Sequence, residues 1–263
     1  MTYRAKKSLG QNFLKSEIAL RKIVEAGEIK EDDIILEIGP GKGALTEKLL
    51  EKSGKIIAVE KDRELIKSLK IKFAKEIAEK KLILIEGDIL KFDISQNYKI
   101  IANIPYNITG AILKKFLTAE NLPESMVLLV QHEVATRIIA RDGKESLLSM
   151  SVKAYGEPKM IMKVDARYFS PAPKVDSAII SIKNISRKIF EENKIDEEKF
   201  WQILRAGFAH KRKKLAGNLK PLLRNYTPEV LKRAGVKENA RAENISLRQW
   251  RKITALEKNL SPE

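Results

Sequence analysis

The segment from Ile34 to Leu50 constrains the fold of this chain more than any other. Ile34-Ile35-Leu36-Glu37-Ile38 is an apolar run of strand length, Gly39-Pro40-Gly41-Lys42-Gly43 is a turn, and Ala44-Leu45-Thr46-Glu47-Lys48-Leu49-Leu50 reads as a helix. Near-continuous apolar strands belong in sheets covered on both faces. A strand, a glycine turn and a helix in direct succession open a βα unit. The pattern repeats through Lys55–Val59, Leu82–Ile85, Tyr98–Ala102 and Ser125–Val130, alternating with helical stretches up to about Ala140. This predicts an α/β fold with a mainly parallel sheet. Lys159–Val164 and Ala178–Ile182 read as the last two strands, paired antiparallel. The stretch Ile185–Ile195 is charged and irregular, and a domain boundary is placed there, giving domains 1–184 and 185–263. Beyond it, Glu197–Phe208, Pro228–Ala234 and Leu247–Leu256 have the spacing of short amphipathic helices, which predicts a smaller all-α C-terminal domain.

Polar or glycine residues gather at successive strand ends. Glycines at a strand-to-helix turn let the backbone approach a ligand and open a helix N-terminus beneath it. Such a turn alone is weak evidence, because dinucleotide enzymes use a related one. The next strand ends in Glu60, about 20 residues after the first glycine, where an acid takes ribose hydroxyls in doubly wound folds. The third delivers Gly87-Asp88, and the fourth delivers Asn103-Ile104-Pro105-Tyr106. All four ends lie at the rim where open parallel sheets bind ligands.

Asn103-Ile104-Pro105-Tyr106 suits one chemical problem, the exocyclic amino group of a nucleobase. The adenine N6 lone pair is delocalised into the ring, so N6 is a poor nucleophile until its hydrogens are drawn out of the plane. The Asn103 side-chain carbonyl and the Ile104 main-chain carbonyl are suited to accept the two hydrogens. Pro105 biases Ile104 to an extended conformation that aims its carbonyl outward, and Tyr106 is placed to stack on a flipped base. The bland alternative is a strand followed by an ordinary proline turn.

The chain resembles the S-adenosylmethionine-dependent methyltransferases, and more narrowly the rRNA adenine N6-dimethyltransferase family. The resemblance is carried by Lys7–Leu14, Glu37–Thr46, Asn103–Tyr106, Gln131–Ala135, Phe169–Ser177, Phe208–Leu215 and Arg241–Ser246, in that order. It implies a Rossmann-like class I methyltransferase sheet of seven strands, the last one antiparallel. It also implies S-adenosyl-L-methionine as cofactor, with Gly39, Gly41 and Gly43 shaping the loop under its methionine part and Glu60 accepting both ribose hydroxyls. Asp88 would bind the cofactor's adenine amino group, Asn12 and Leu14 of the N-terminal arm would close over it, and Asn103 would lie beside it. Asn103, Ile104, Pro105 and Tyr106 would hold the target adenine, with Phe169 stacking on its other face or packing in the core. Phe13 reads equally as arm packing or as a base contact. Of the family's two main branches, one dimethylates two adjacent adenines in the 3′-terminal hairpin of small-subunit (16S) rRNA and takes part in subunit maturation. The other dimethylates one adenine of large-subunit rRNA. The Phe169–Ser177 and Arg241–Ser246 blocks look more like the first, which implies a monomer acting on small-subunit rRNA within a pre-30S particle. A DNA adenine methyltransferase shares the chemistry, but its motif usually carries Pro-Pro where this chain has Ile104-Pro105. A role resting mainly on ribosome assembly is compatible with methylation.

Composition agrees. Lys+Arg 51 against Asp+Glu 35 gives a formal charge of +16, which favours a polyanionic partner. With no Cys, base-carbon methylation of pyrimidines through a cysteine nucleophile is excluded. No long apolar stretch opens the chain, so neither a signal peptide nor a membrane span is expected, and a cytoplasmic protein is. No cluster has metal-ligand spacing, so no metal is expected, and His132 and His210 are not needed as bases. Lys211, Arg212, Lys213 and Lys214 form a basic run suited to RNA phosphates, in place of the paired arginines usual in the family. Arg4, Lys6 and Lys7 of the arm are the alternative track.

Overall fold

The computed structural model describes residues 3–192 and 194–258, with Lys7 and Lys258 described by their backbone alone. By their contacts they form two compact units, Met1–Thr136 with Glu157–Ile185, and Arg137–Gly156 with Ser186–Glu263. Residues 137–156, read from sequence as part of the first domain, thus group with the C-terminal residues.

The chain runs through β1 (Phe13–Leu14), α1 (Glu17–Ala26), β2 (Ile34–Ile38), α2 (Ala44–Leu50), β3 (Lys55–Glu60), α3 (Arg63–Lys72) and α4 (Ala74–Ala78). It continues with β4 (Leu82–Glu86), β5 (Lys99–Asn103), α5 (Thr109–Leu117), β6 (Met126–Gln131), α6 (His132–Ile139) and α7 (Leu147–Lys153). Then follow β7 (Glu157–Val164), β8 (Phe169–Ser170) and β9 (Ser177–Lys183). Seven strands form one sheet in the order β4-β3-β2-β5-β6-β9-β7. Neighbours among β2, β3, β4, β5 and β6 are parallel, and β9 is antiparallel to both β6 and β7. The class expected from sequence is therefore present, with the last strand inserted between its two predecessors. The central strands are mostly apolar, as strands buried on both faces must be: Ile35, Leu36, Ile56, Ala58, Ile100 and Ile101 are all fully buried. The edge strand β7 alternates instead, with Glu157, Lys159 and Lys163 facing solvent and Pro158 tolerated there. Ser16 caps α1 and Asp62 caps α3, each accepting a backbone N–H of the first turn. A second, two-stranded sheet pairs β1 with β8 antiparallel.

The C-terminal unit is helical: α8 (Lys188–Glu191), α9 (Glu197–Gly207), α10 (Leu215–Leu223), α11 (Thr227–Arg233) and α12 (Leu247–Lys258). Two of these depart from the sequence reading. The stretch taken as irregular holds α8, pinned by Phe190, which packs edge-on against Phe200 at 5.4 Å. The helix α10, with Pro221 inside it, is not among the helices expected from the sequence. A proline ring inside a helix removes one hydrogen bond and crowds the carbonyl four residues earlier, so the local pattern there does not read as a helix. No helix among the described residues is long and apolar enough to cross a membrane.

Candidate active site

The rim of the parallel sheet opens into a cavity of about 610 Å³. Its wall is built from the turn after β2, the ends of β3 and β5, the loop after β4, and residues 8–15 of the N-terminal arm. The four strand ends singled out by their polar residues thus converge on one volume.

The glycine turn supplies its floor. Gly39 and Gly41 line the cavity. Gly41 has φ +61°, and a Cβ there would sit 3.0 Å from the Phe13 ring, so the arm closes down onto bare backbone. Gly43 does not itself line the cavity. With φ +78° it starts α2, and a Cβ would come 2.5 Å from Phe73 of the core. It shapes the turn from behind.

Glu60 is buried and takes two main-chain donors, Gly41 N–H on Oε2 at 3.1 Å and Asp62 N–H on Oε1 at 2.9 Å. Burial raises its pKa against the pull of those N–H groups. Each carboxylate oxygen keeps a lone pair for a further donor. Asp88 also lines the cavity. Its Oδ2 accepts from Lys61 at 2.9 Å and its Oδ1 from Leu90 N–H at 3.0 Å, and these partners, Lys61 foremost, hold its pKa below the usual carboxylate range.

The sequence pattern alone assigns Glu37 no role. It lies in the cavity wall, fully buried, bonded through Oε2 to the Thr46 hydroxyl at 2.7 Å. Burial, with a contribution from nearby Glu60, pushes its carboxyl up to about 8. The available signal was an acid inside an otherwise apolar strand.

Asn103, Ile104, Pro105 and Tyr106 all line the same cavity. The Ile104 side chain is buried at 2 % exposure, so the residue offers the cavity its main chain. Pro105 is extended at φ −61°, ψ 128°. The Tyr106 hydroxyl pairs with Ser177 Oγ at 2.5 Å, and burial raises its pKa. The Asn103 Nδ2 donates to the main-chain carbonyl of Asn12 at 3.2 Å. In the arm, Asn12 Nδ2 donates to Gly10 O, and Leu14 is buried while still lining the cavity. Phe13 packs under the Lys42 ammonium, 4.9 Å from its ring centroid.

Phe169 belongs to the core. It pairs with Leu14 across the small sheet, is 2 % exposed, and does not line the cavity. Of its two sequence readings, this burial favours packing in the core. Neither His132 nor His210 lines the cavity, and among the described residues no group of His, Cys, Asp and Glu is arranged to hold a metal ion.

Lys211, Arg212, Lys213 and Lys214 occupy the exposed turn between α9 and α10. Among the described residues none of the four is in an ion pair. The turn is held by Asn218, whose Nδ2 donates to Gly207 O at 2.6 Å and His210 O at 3.1 Å. Of the alternative track, Lys6 is committed to Asp62 and Glu64, both at 2.8 Å, while the Lys7 side chain lies outside the described residues.

Comparison with known proteins agrees with this geometry. The family model for ribosomal RNA adenine dimethylase matches residues 2–258. A relative from Dehalococcoides mccartyi named ribosomal RNA small subunit methyltransferase A is 42% identical over 261 residues, covering 96% of this chain and 88% of its own length. A protein of the same name from Fusobacterium nucleatum is 41% identical over 256 residues, 94% of this chain and 95% of its own. Among solved structures, a dimethyladenosine transferase from Plasmodium falciparum superposes with a TM-score of 0.80 at 29% identity, covering 92% of this chain and 95% of that one. The 23S rRNA methyltransferase ErmE does so with 0.75 at 27%, covering 93% and 99%. With the match spanning nearly every residue, and the glycine turn, Glu60 and Asn103–Tyr106 sharing one cavity, the chain belongs to the ribosomal RNA adenine dimethylase family.

Proposed function

We propose that this enzyme uses S-adenosylmethionine to dimethylate, at N6, two adjacent adenines in the 3′-terminal hairpin of small-subunit rRNA. It does so in the cytoplasm, as a monomer, within a pre-30S particle, and takes part in maturation of that subunit. The observation that carries the reading is the shared cavity: the amide and aromatic of Asn103–Tyr106 open onto the volume bounded by the glycine turn and Glu60. The small-subunit branch is favoured because relatives at about 40% identity along the whole chain bear that name, whereas the large-subunit enzyme ErmE is 27% identical.

The residues suit the cofactor. Glu60 has an acceptor lone pair for each ribose hydroxyl, Asp88 is an acceptor for the adenine amino group, and the bare backbone of Gly39 and Gly41 admits close approach. When bound, the cofactor supplies an already activated methyl group on a sulfonium. The protein has the remaining work. Asn103 Oδ1 and the Ile104 carbonyl accept the N6 hydrogens and draw nitrogen out of conjugation, and the Tyr106 ring stacks on the extruded base. Holding N6 in line with the methyl group contributes most of the rate, and the displaced proton leaves to water. The first unit binds cofactor and base, and the turn Lys211–Lys214 of the second contacts rRNA phosphates.

Mass spectrometry of small-subunit rRNA, after incubation of pre-30S particles with enzyme and isotopically labelled S-adenosylmethionine, tests this reading. Label in two adjacent dimethyladenines near the 3′ end is expected. Label in large-subunit rRNA, or in none, overturns it.

A further inference from the structure

The N-terminal arm is fastened to the catalytic rim by one buried carboxylate. Asp62 lies two residues beyond Glu60, and its side chain is wholly shielded from solvent. Three arm residues converge on it. Lys6 Nζ donates to Oδ1 at 2.8 Å, while the Tyr3 hydroxyl at 2.6 Å and Gln11 Nε2 at 3.0 Å donate to Oδ2. Gln11 Oε1 in turn accepts the Lys6 backbone N–H at 2.7 Å, so the donors are bound to one another as well as to the acid. Burial would raise the Asp62 pKa, but the bonds from Lys6, Tyr3 and Gln11 outweigh it and hold the group ionised. A buried carboxylate saturated by charged and neutral donors is a strong tether, because removing its charge leaves all three arm donors without an anion.

One residue past this knot, the Asn12 main-chain carbonyl accepts from Asn103 Nδ2 at 3.2 Å. A carbonyl accepts only from the NH₂ end of a carboxamide. The contact therefore selects one of the two orientations of the Asn103 amide, and the oxygen is the end left over. In the opposite orientation two carbonyl oxygens would face each other.

We propose that Asp62 is a positioning residue for methyl transfer: by tethering the arm it keeps the Asn12 carbonyl on the Asn103 amide nitrogen and so presents Asn103 Oδ1 to the amino group of the target adenine. This rests on the reading of Asn103 given above. It assigns the arm a part in orienting the acceptor amide, in addition to covering the cofactor. Asp62 touches neither substrate nor reacting atom.

The test uses full-length protein carrying Asp62→Asn, which keeps the size and the helix-capping oxygen while removing the charge. Tyr3→Phe with Lys6→Met, which leaves Asp62 in place, provides a second route to the same loosening. Amide hydrogen exchange of residues 4–14 reports the tether. Single-turnover methyl transfer at saturating cofactor reports the amide. Both variants are expected to exchange the arm at least about tenfold faster and to transfer methyl about tenfold more slowly, less than the roughly hundredfold that a full 1 Å misplacement can cost. Asp62→Asn in an Asn103→Ala background then separates orientation from general damage, because with no amide to orient the further loss should vanish. An equal tenfold loss in that background overturns the proposal, as does a loosened arm with an unchanged rate. Transfer by the parent enzyme to adenine N6 is measured alongside: its absence refutes the reading of Asn103, while the exchange data judge the tether separately.

Discussion

Glu60 and Glu37 are both buried acids on one cavity wall, yet their partners set them apart. Glu60 receives two backbone N–H groups and is built to act as an acceptor. Replacing it by alanine should weaken cofactor binding by about 1.5–3 kcal/mol, the value of charge-assisted hydrogen bonds. Calorimetric titration with S-adenosylhomocysteine measures this, and an unchanged affinity would mean that Glu60 serves the turn alone. The two donors it abandons should also lower the melting temperature. Glu37 has a single hydroxyl partner and a carboxyl raised to about 8. An acid whose pKa is raised in the folded state contributes stability that is complete below its unfolded value, near 4.3, and is lost as pH rises through the folded value. Glu37→Gln imitates the neutral form at every pH. Its melting temperature should therefore exceed the parent's increasingly between about pH 4.5 and 8 and then level off. A constant offset across that window would show that Glu37 is not the titrating group.

At the level of elements, the decisive unit is the turn between β2 and α2. Gly43 must hold φ +78° while Phe73 occupies the space where a side chain would begin. Gly43→Ala combines a left-handed strain of about 1–2 kcal/mol with an overpacking cost of about 1–3 kcal/mol. Urea denaturation should show a loss of about 2–5 kcal/mol, partly recovered by adding Phe73→Leu, which relieves packing but not backbone strain. A loss below about 0.5 kcal/mol, within the range of ordinary surface changes, would mean the turn relaxes freely. This turn was legible because its information is local: an apolar run, a group of glycines and a helical run are contiguous in sequence. The helix α10 was not legible, because Pro221 is a breaker on every local rule, and its burial of Leu215, Leu219 and Leu223 is a matter of tertiary packing.

For the whole molecule, a formal charge of +16 calls for a polyanion, and the structure narrows where the cations are free to meet one. Lys6 is consumed by Asp62 and Glu64, whereas Lys211, Arg212, Lys213 and Lys214 are all exposed on one turn. Changing all four to Gln should reduce the slope of log affinity against log salt by roughly 2–3 if most of them touch phosphates. Cofactor affinity should be preserved. An unaltered slope would place the RNA track on other basic residues.

The sequence by itself determined the class of sheet, the strand ends at which polar residues gather, and the Asn103–Tyr106 constellation. Each of these follows from periodicity and composition over a few residues, and an open parallel sheet brings its strand ends to one rim whatever the rest of the chain does. The tertiary structure alone decided what depends on pairings distant in sequence. It inserted β9 between β6 and β7, drew residues 137–156 to the C-terminal helices, and buried Phe169 opposite Leu14 in the small sheet. It also brought Tyr3, Lys6 and Gln11 onto Asp62, more than fifty residues away. No local pattern marks Asp62 as different from any other helix-capping aspartate. Its role arises only when packing removes it from water and the arm supplies the donors that burial demands.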